Sequence, residues 1–283
     1  MTIRRTAYGA VVQTAHLLRI QQPAAFLQAS SLNTTLGIQA ATLPNAGELP
    51  AMHYFVLGIG AHAYTTGQNG IALPSTKNHT AREAGLFKMI PMVVRQVGDD
   101  IDASYRQRYA LRRIESIGGA DHIVYYARRF DPSSAVIKVY EQTISNGRVI
   151  ASNEFTPTLA DREPTPVDTS KQVSNPLEAQ VMRVSAPVTL TLDAFDVAEI
   201  LNASVIVYGT EDYSHASEIA MVTGVDRTVS SDNGLGGTVS FNEVIGAQIH
   251  SHVPSQLALK DRRQGVDLTY DVGAVEALYV NGG

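Results

Sequence analysis

The chain has 283 residues, 22 Lys and Arg against 27 Asp and Glu, a net charge of −5 and no cysteine. That length allows one large domain or two of ordinary size. Disulfides, thiolate nucleophiles and Cys-ligated zinc are excluded, and the acidic balance gives no electrostatic case for a dedicated nucleic-acid binder.

The sequence reads as globular, with 44% hydrophobic residues, and its 17% charged fraction is low. A surface with few charges suits a protein partly covered by neighbours. No apolar run approaches the ~18–20 residues that span a bilayer. Ala10–Leu18 is broken by Gln13 and His16 and lacks a cleavage signal, so a soluble protein retained without export is expected.

A helix is expected over Thr6–Leu18. Between Arg19 and Glu48 there is no charged residue, and the segment is rich in Gln, Ala, Ser, Thr and Asn. Residues 1–50 therefore read either as a loosely packed leader or as an extended arm laid across a neighbouring subunit.

From Met52 the pattern is that of β-structure. Tyr105–Ile117 and His122–Phe130 flank Gly118-Gly119-Ala120-Asp121, a turn signal. With Ile117 facing His122, Tyr109 faces Phe130, Arg113 faces Tyr126 and Arg108 faces Asp131, all favourable cross-strand partners. Val136–Ile144 and Val149–Phe155 surround Asn146-Gly147, a strong hairpin signal because both turn residues take positive φ. Pro157, Pro164, Pro166 and Pro176 then mark a linker, since proline withholds a ladder donor.

Ala186–Leu192 alternates apolar and polar residues. A short helix is expected over Asp193–Leu201, with strands over Ser204–Tyr208, His215–Thr223, Gly237–Phe241 and Ala247–His252 and a loop over Ser230–Gly237. The expected fold is mainly β: two sheet-rich halves with a few short helices and an extended N-terminal arm. Its expected parts are an arm or helix over 1–50, a β-rich domain with two hairpins over 51–157, a Pro-rich linker over 158–176 and a second β-rich domain over 177–283.

Three stretches imitate functional motifs. Phe55–Ala63 mimics a strand entering G-x-G-x-x-A, but Tyr64–Gly70 is turn material where a phosphate-binding helix must start. Asp99-Asp100-Ile101-Asp102 mimics the opening of a calcium loop but places Tyr105 and Leu111 where the loop needs Gly and Glu, so it reads as an acidic turn. Glu243–Pro254 resembles the core of the JAMM-type zinc isopeptidases through His250 and His252, which share a face in a regular strand. That family's serine and aspartate would fall on Lys260 and Arg263. No metal, cofactor, small-molecule substrate or catalytic residue is expected.

What the sequence does offer is arginine. Eleven of the 22 basic residues lie between Arg82 and Arg148. Arg106, Arg108, Arg112, Arg113, Arg128 and Arg129 form the densest run, interleaved with Tyr105, Tyr109, Tyr125 and Tyr126. Arg and Tyr are enriched at interface hot spots. These six arginines with Tyr109 and Tyr125 are therefore candidates for an intersubunit contact. The competing reading is a sheet face paired with the chain's own carboxylates, among them Asp99, Asp100, Asp102 and Glu115. The acidic net charge disfavours a third, an RNA platform.

The phrase Arg108-Tyr109-Ala110-Leu111-Arg112-Arg113-Ile114, followed by a glycine turn and Tyr125-Tyr126-Ala127-Arg128-Arg129, resembles a family of uncharacterised virion structural proteins of tailed phages, chiefly large contractile-tailed ones. Val207-Tyr208-Gly209, Tyr213, Ser217–Ala220 and Thr223–Asp226 are similar to a second stretch of that family. The likeness runs from about Tyr54 to the C-terminus. It implies a non-enzymatic component of the head–tail neck, tail or baseplate. Such a protein would be made in the host cytoplasm, reside in the virion, and assemble as a symmetric ring with copies of itself and other virion proteins, without membrane. The alternatives are a JAMM-like zinc hydrolase at His250 and His252 and a surface carbohydrate-binding or fibre-attachment module.

Overall fold

The structure, a computed structural model, describes residues 3–38, 43–67, 69–163, 179–259 and 261–278. It is mainly β, with five short α-helices among the described residues, as expected. Two compact units appear. One joins Met1–Phe130 with Thr191–Val266, and the other joins Asp131–Leu190 with Asp267–Gly283. Most of the expected linker, residues 164–176, lies outside the described residues. Strands from both sides of it share one sheet.

In chain order, the first unit begins with β1 (Arg4–Arg5), α1 (Ala7–Leu18), α2 (Ala24–Ser30) and α3 (Leu32–Thr35). Next come β2 (Ala51–Gly58), β3 (His62–Thr66), β4 (Ala72–Thr76), β5 (Val93–Gln96), α4 (Ala103–Arg106), β6 (Tyr109–Ile117) and β7 (Ala120–Arg129). The second unit contributes β8 (Lys138–Ser145), β9 (Arg148–Glu154) and β10 (Ala179–Ser185). β11 (Pro187–Leu192), α5 (Ala194–Tyr208), β12 (His215–Asp232), β13 (Thr238–Ala258), β14 (Val266–Asp271) and β15 (Ala274–Ala277) follow.

The main sheet runs β1-β13-β12-β2-β7-β5, with β6 also on β7. Its core gathers Tyr54, Val56, Leu111, Val124, Val222 and Ile249, with Leu32 and Leu36 covering them from α3 and the residue after it. Part of the leading segment packs on the sheet of its own chain. Thr6 caps α1 through Gly9 and also donates to the Ile249 carbonyl, while β1 pairs with Ser251 and His252. Asn33, almost fully buried, donates to the Val244 carbonyl at 3.0 Å and accepts from the Ala247 amide at 2.9 Å. Leu27, Ser30–Asn33, Leu36 and Ile38 are buried, and at those positions an unpaired ion would be costly.

The Asn146-Gly147 hairpin forms as expected, with φ of 51° and 71°. The arginine-rich hairpin forms in a different register. Ile117 faces Ala120, and Gly118-Gly119 alone, at φ 62° and 85°, make the turn. Two glycines with positive φ suit a two-residue loop whose twist matches the strands. The shift is by two residues, so each side chain keeps its expected face. Arg106 and Arg108 precede the strand, Arg106 ending α4.

Ser204–Tyr208 is helix, not strand. Asp193 and Asp196 form a reciprocal capping box, and α5 runs on until Gly209 at φ 78° stops it. Helix propagation and burial of Ile200, Leu201 and Ala203 outweigh the β-preference of its Val-Ile-Val tail. The C-terminal strand candidates merge into one long hairpin, β12 with β13, interrupted by three register shifts. The loop expected over Ser230–Gly237 shrinks to Asn233–Gly237.

The second unit holds a four-stranded antiparallel sheet, β15-β10-β8-β9, and β11 pairs with β14. Among the described residues of the four strands only Val181 is buried. Val149, Ile150 and Val275 remain more than half exposed.

Candidate functional site

The arginines singled out in the sequence are tied within their own chain. Tyr109 and Arg128 are cross-strand partners, and both donate to Oδ1 of Asp196, Arg128 at 3.0 Å. Tyr54 and Arg129 are partners between β2 and β7. Arg129 donates to the Tyr54 hydroxyl at 3.0 Å and pairs with Asp226 at 2.7 Å. Arg113 and Tyr126 both reach Oε1 of Glu115. Arg106 pairs with Asp100 at 3.4 Å and Arg108 with Asp193.

These tyrosines are fixed as donors. Burial first, and then the neighbouring carboxylate, raises the hydroxyl pKa of Tyr54, Tyr109, Tyr125 and Tyr126. At Asp226, burial opposes ionisation, but hydrogen bonds from His53 and Arg129 prevail and its pKa falls. Tyr109 and Tyr125 are fully buried and Arg112 is 4% exposed, so none of the three offers a surface to a neighbour. Of the carboxylates close in sequence, Asp100 and Glu115 do take arginines. Asp193, Asp196 and Asp226 are far along the chain, beyond the reach of local spacing.

His250 and His252 do not face one site. The ladder pairs Met221 with Ser251 and Val222 with Ile249, so the irregularity falls at His250 and breaks the alternation. The His250 ring packs by Gly9 of α1, with Nδ1 3.2 Å from the Ser251 hydroxyl. His252 instead approaches the Gly85 carbonyl through Nε2 at 3.0 Å and stacks on His79 at 3.8 Å. Burial pushes both histidines down to about 4. Lys260 lies outside the described residues. Asp261 accepts from the Arg263 amide. Among the described residues no three His, Asp or Glu side chains converge as metal ligands.

The stack leads to a cluster that the sequence reading missed. A register shift between Ala216 and Glu218 sets Ser255 and Gln256 of β13 opposite Ser217 as a bulge, and bulges re-aim side chains. Ser217 and Glu218, both fully buried, then cap the turn after β2 by accepting from the amides of Ala61 and Gly60. Glu218 also accepts from the amides of Phe87 and Lys88 at 3.2 Å, and from His79 Nε2. The other ring nitrogen, Nδ1, lies 2.6 Å from Glu83. Gly58, opposite Glu218, admits that side chain because a Cβ there would lie 2.5 Å from its carboxylate.

His79 is thus a buried imidazole between two carboxylates, with Phe87 stacked at 4.1 Å and His252 stacked as well. Burial opposes its charge, but the hydrogen bonds it makes to Glu218 and then Glu83 outweigh it and raise its pKa. Glu218 is lowered in turn, its burial overcome by His79 and the two amides. The i,i+4 spacing of His79 and Glu83 was the local signal available. Glu218 is 139 residues further on. With both ring nitrogens engaged, the cluster clamps Lys77–Ile90 to the sheet.

Among the described residues no helix is long and apolar enough to cross a membrane. No curated protein and no solved structure matches the chain. A family model, described as a family of unknown function (DUF7208), matches residues 1–283. By that full-length match the chain belongs to the DUF7208 family.

Proposed function

We propose that this chain is a structural subunit of a tailed-phage virion, acting in repeated copies that pack into a symmetric ring of the neck, tail or baseplate. The observation that carries this reading is the sparse burial of the four-stranded sheet among the described residues of the second unit. A sheet ordinarily buries one face against a second layer, yet among its described strand residues only Val181 is buried. Val149, Ile150 and Val275 are more than half exposed, and in this reading they are covered on assembly. The occupant is a neighbouring copy of the chain, as closed homo-oligomers are the common solution. The Arg- and Tyr-rich hairpin that resembles phage virion proteins supplies the internal framework in this reading, and this sheet supplies the contact.

Sedimentation velocity of the purified chain, with mass spectrometry of purified particles, tests it. A ring-sized oligomer that dissociates on Val149→Lys with Val275→Lys, and several copies per particle, are expected. A monomer at every concentration, absent from particles, overturns the reading.

A further inference from the structure

Beside the His79 clamp lies a cleft of about 120 Å³, lined in part by Arg4, Lys77, Asn78, His79, Glu218 and His252. Its two long basic side chains differ from the arginines of the sheet, since neither Arg4 nor Lys77 has an ion-pair partner among the described residues. The one carboxylate on the wall cannot serve them. Glu218 accepts from Gly60 and Lys88 on Oε1 and from His79 and Phe87 on Oε2. A carboxylate has about four acceptor sites, and all are filled.

Arg4 and Lys77 are thus the cations left free at this cleft, within a chain of net charge −5. Arg4 and Lys77 bring two cations, whereas His79 is flanked by the carboxylates of Glu83 and Glu218 and adds no net positive charge. Glu83 lies at the opposite ring nitrogen of His79 from Glu218. The backbones carrying the cations are fixed. Arg4 pairs with His252 across β1 and β13, and the Lys77 amide donates to the Ala61 carbonyl at 2.7 Å. An anion beside two cations that lack an ion-pair partner is electrostatically favoured. The volume equals about four waters at ~30 Å³ each, room for one small tetrahedral oxyanion.

We propose that this cleft binds a phosphate- or sulfate-sized oxyanion, taken by the guanidinium of Arg4, the ammonium of Lys77 and the side-chain amide of Asn78. The clamp provides the floor: both nitrogens of His79 are committed to Glu83 and Glu218, so the ring offers the anion no hydrogen bond. This site is independent of the assembly surface on the second unit.

The test is titration of the purified chain with inorganic phosphate, sulfate, acetate and chloride at constant ionic strength. The readouts are calorimetry and the NMR signals of the His79 and His252 rings. Saturable binding of phosphate and sulfate that shifts both rings is expected, with acetate weaker and chloride silent. Arg4→Ala and Lys77→Gln should each weaken phosphate binding about tenfold or more, and Arg82→Ala, an exposed control, should not. Both substituted side chains are exposed, so a circular dichroism spectrum like that of the unsubstituted chain confirms that folding is retained. No saturable binding, an equal response to chloride, or unchanged affinity in both variants overturns the proposal.

Discussion

Arg112 and Tyr125 stand opposite each other on β6 and β7 and share the carboxylate of Asp100, Tyr125 through its hydroxyl at 3.0 Å and Arg112 across 3.5 Å. Arg112 also lies 5.2 Å above the Phe241 ring and donates to the Asp232 carbonyl. With Tyr109–Arg128 on Asp196 and Tyr54–Arg129 at Asp226, the sheet repeats one device: a cross-strand Tyr–Arg pair joined by an acid borrowed from elsewhere. Breaking one member of a buried charge pair is far more damaging than the pair's net contribution.

Arg112→Ala combined with Arg129→Ala is therefore expected to destabilise the isolated chain, by about 3–5 kcal/mol for loss of a buried partner. Urea unfolding measures it. Sedimentation of the residual folded protein should show assembly unchanged. A double variant as stable as the parent would return these arginines to the role of surface contacts.

Stability should peak near neutral pH. Glu218 and Glu83 are lowered in the folded state, so their contribution is complete above ~4.3 and lost as pH falls through the folded values. His252, pushed down to about 4, costs stability over the window from ~6.5 to 4 as the unfolded chain takes up the proton. His79 is raised, so its contribution is complete below ~6.5 and lost as pH rises through the folded value. Glu243, pushed up to about 7 by burial, costs stability as pH climbs from ~4.3 to 7. Urea melts from acid to alkali, with His79→Gln compared against the parent, isolate the histidine. The difference between the two should narrow on the alkaline side, and parallel profiles would exclude a charged His79.

Gly58→Ala should cost about 1–3 kcal/mol, the range for overpacking a fitted site. Its Cβ would sit 2.5 Å from the Glu218 carboxylate, a side chain with no room to yield. Thermal unfolding checks the loss, and the His79 ring signals should broaden or shift with it. An unshifted ring would show that the clamp does not depend on this close approach.

Asn33→Leu leaves the Val244 carbonyl and Ala247 amide unpaired under α3, at about 1–3 kcal/mol for each buried group. Hydrogen exchange should speed up in α1–α3 and the facing part of β13 before the rest of the sheet. Uniform exchange across the chain would place the damage elsewhere.

Much of this fold was legible because its signals are local. Asn146-Gly147 and Gly118-Gly119 name their turns, Thr6 and Asp193 cap their helices, and the alternation of exposed and buried residues along β11 follows its alternating sequence. The failures share a physical cause. Turn length decided the hairpin register, so a four-residue turn in place of two shifted the pairing. At Ser204–Tyr208 the β-branched residues suggested a strand, while a helix already started at Asp193 carried through them. The arginines were visible, but Asp193, Asp196 and Asp226 come from α5 and β12 and only tertiary structure delivers them. Glu218 and His79 meet only after a bulge, and bulges leave no short-range spacing to read.

The way the leading segment closes onto β13 also sets an order in time. Arg4 and Arg5 pair with residues near the end of a strand that finishes at Ala258, and β2 needs β12 at its side. A nascent chain thus cannot complete its largest sheet until that strand has left the ribosome, and the earliest-made strands wait with edges unpaired. Contacts this distant in sequence slow folding and expose aggregation-prone edges. The β8–β9 hairpin is closed by a two-residue turn and can form as soon as it emerges. Translation pauses after residue 258 should therefore be tolerated, whereas pauses between β2 and β12 should favour chaperone capture.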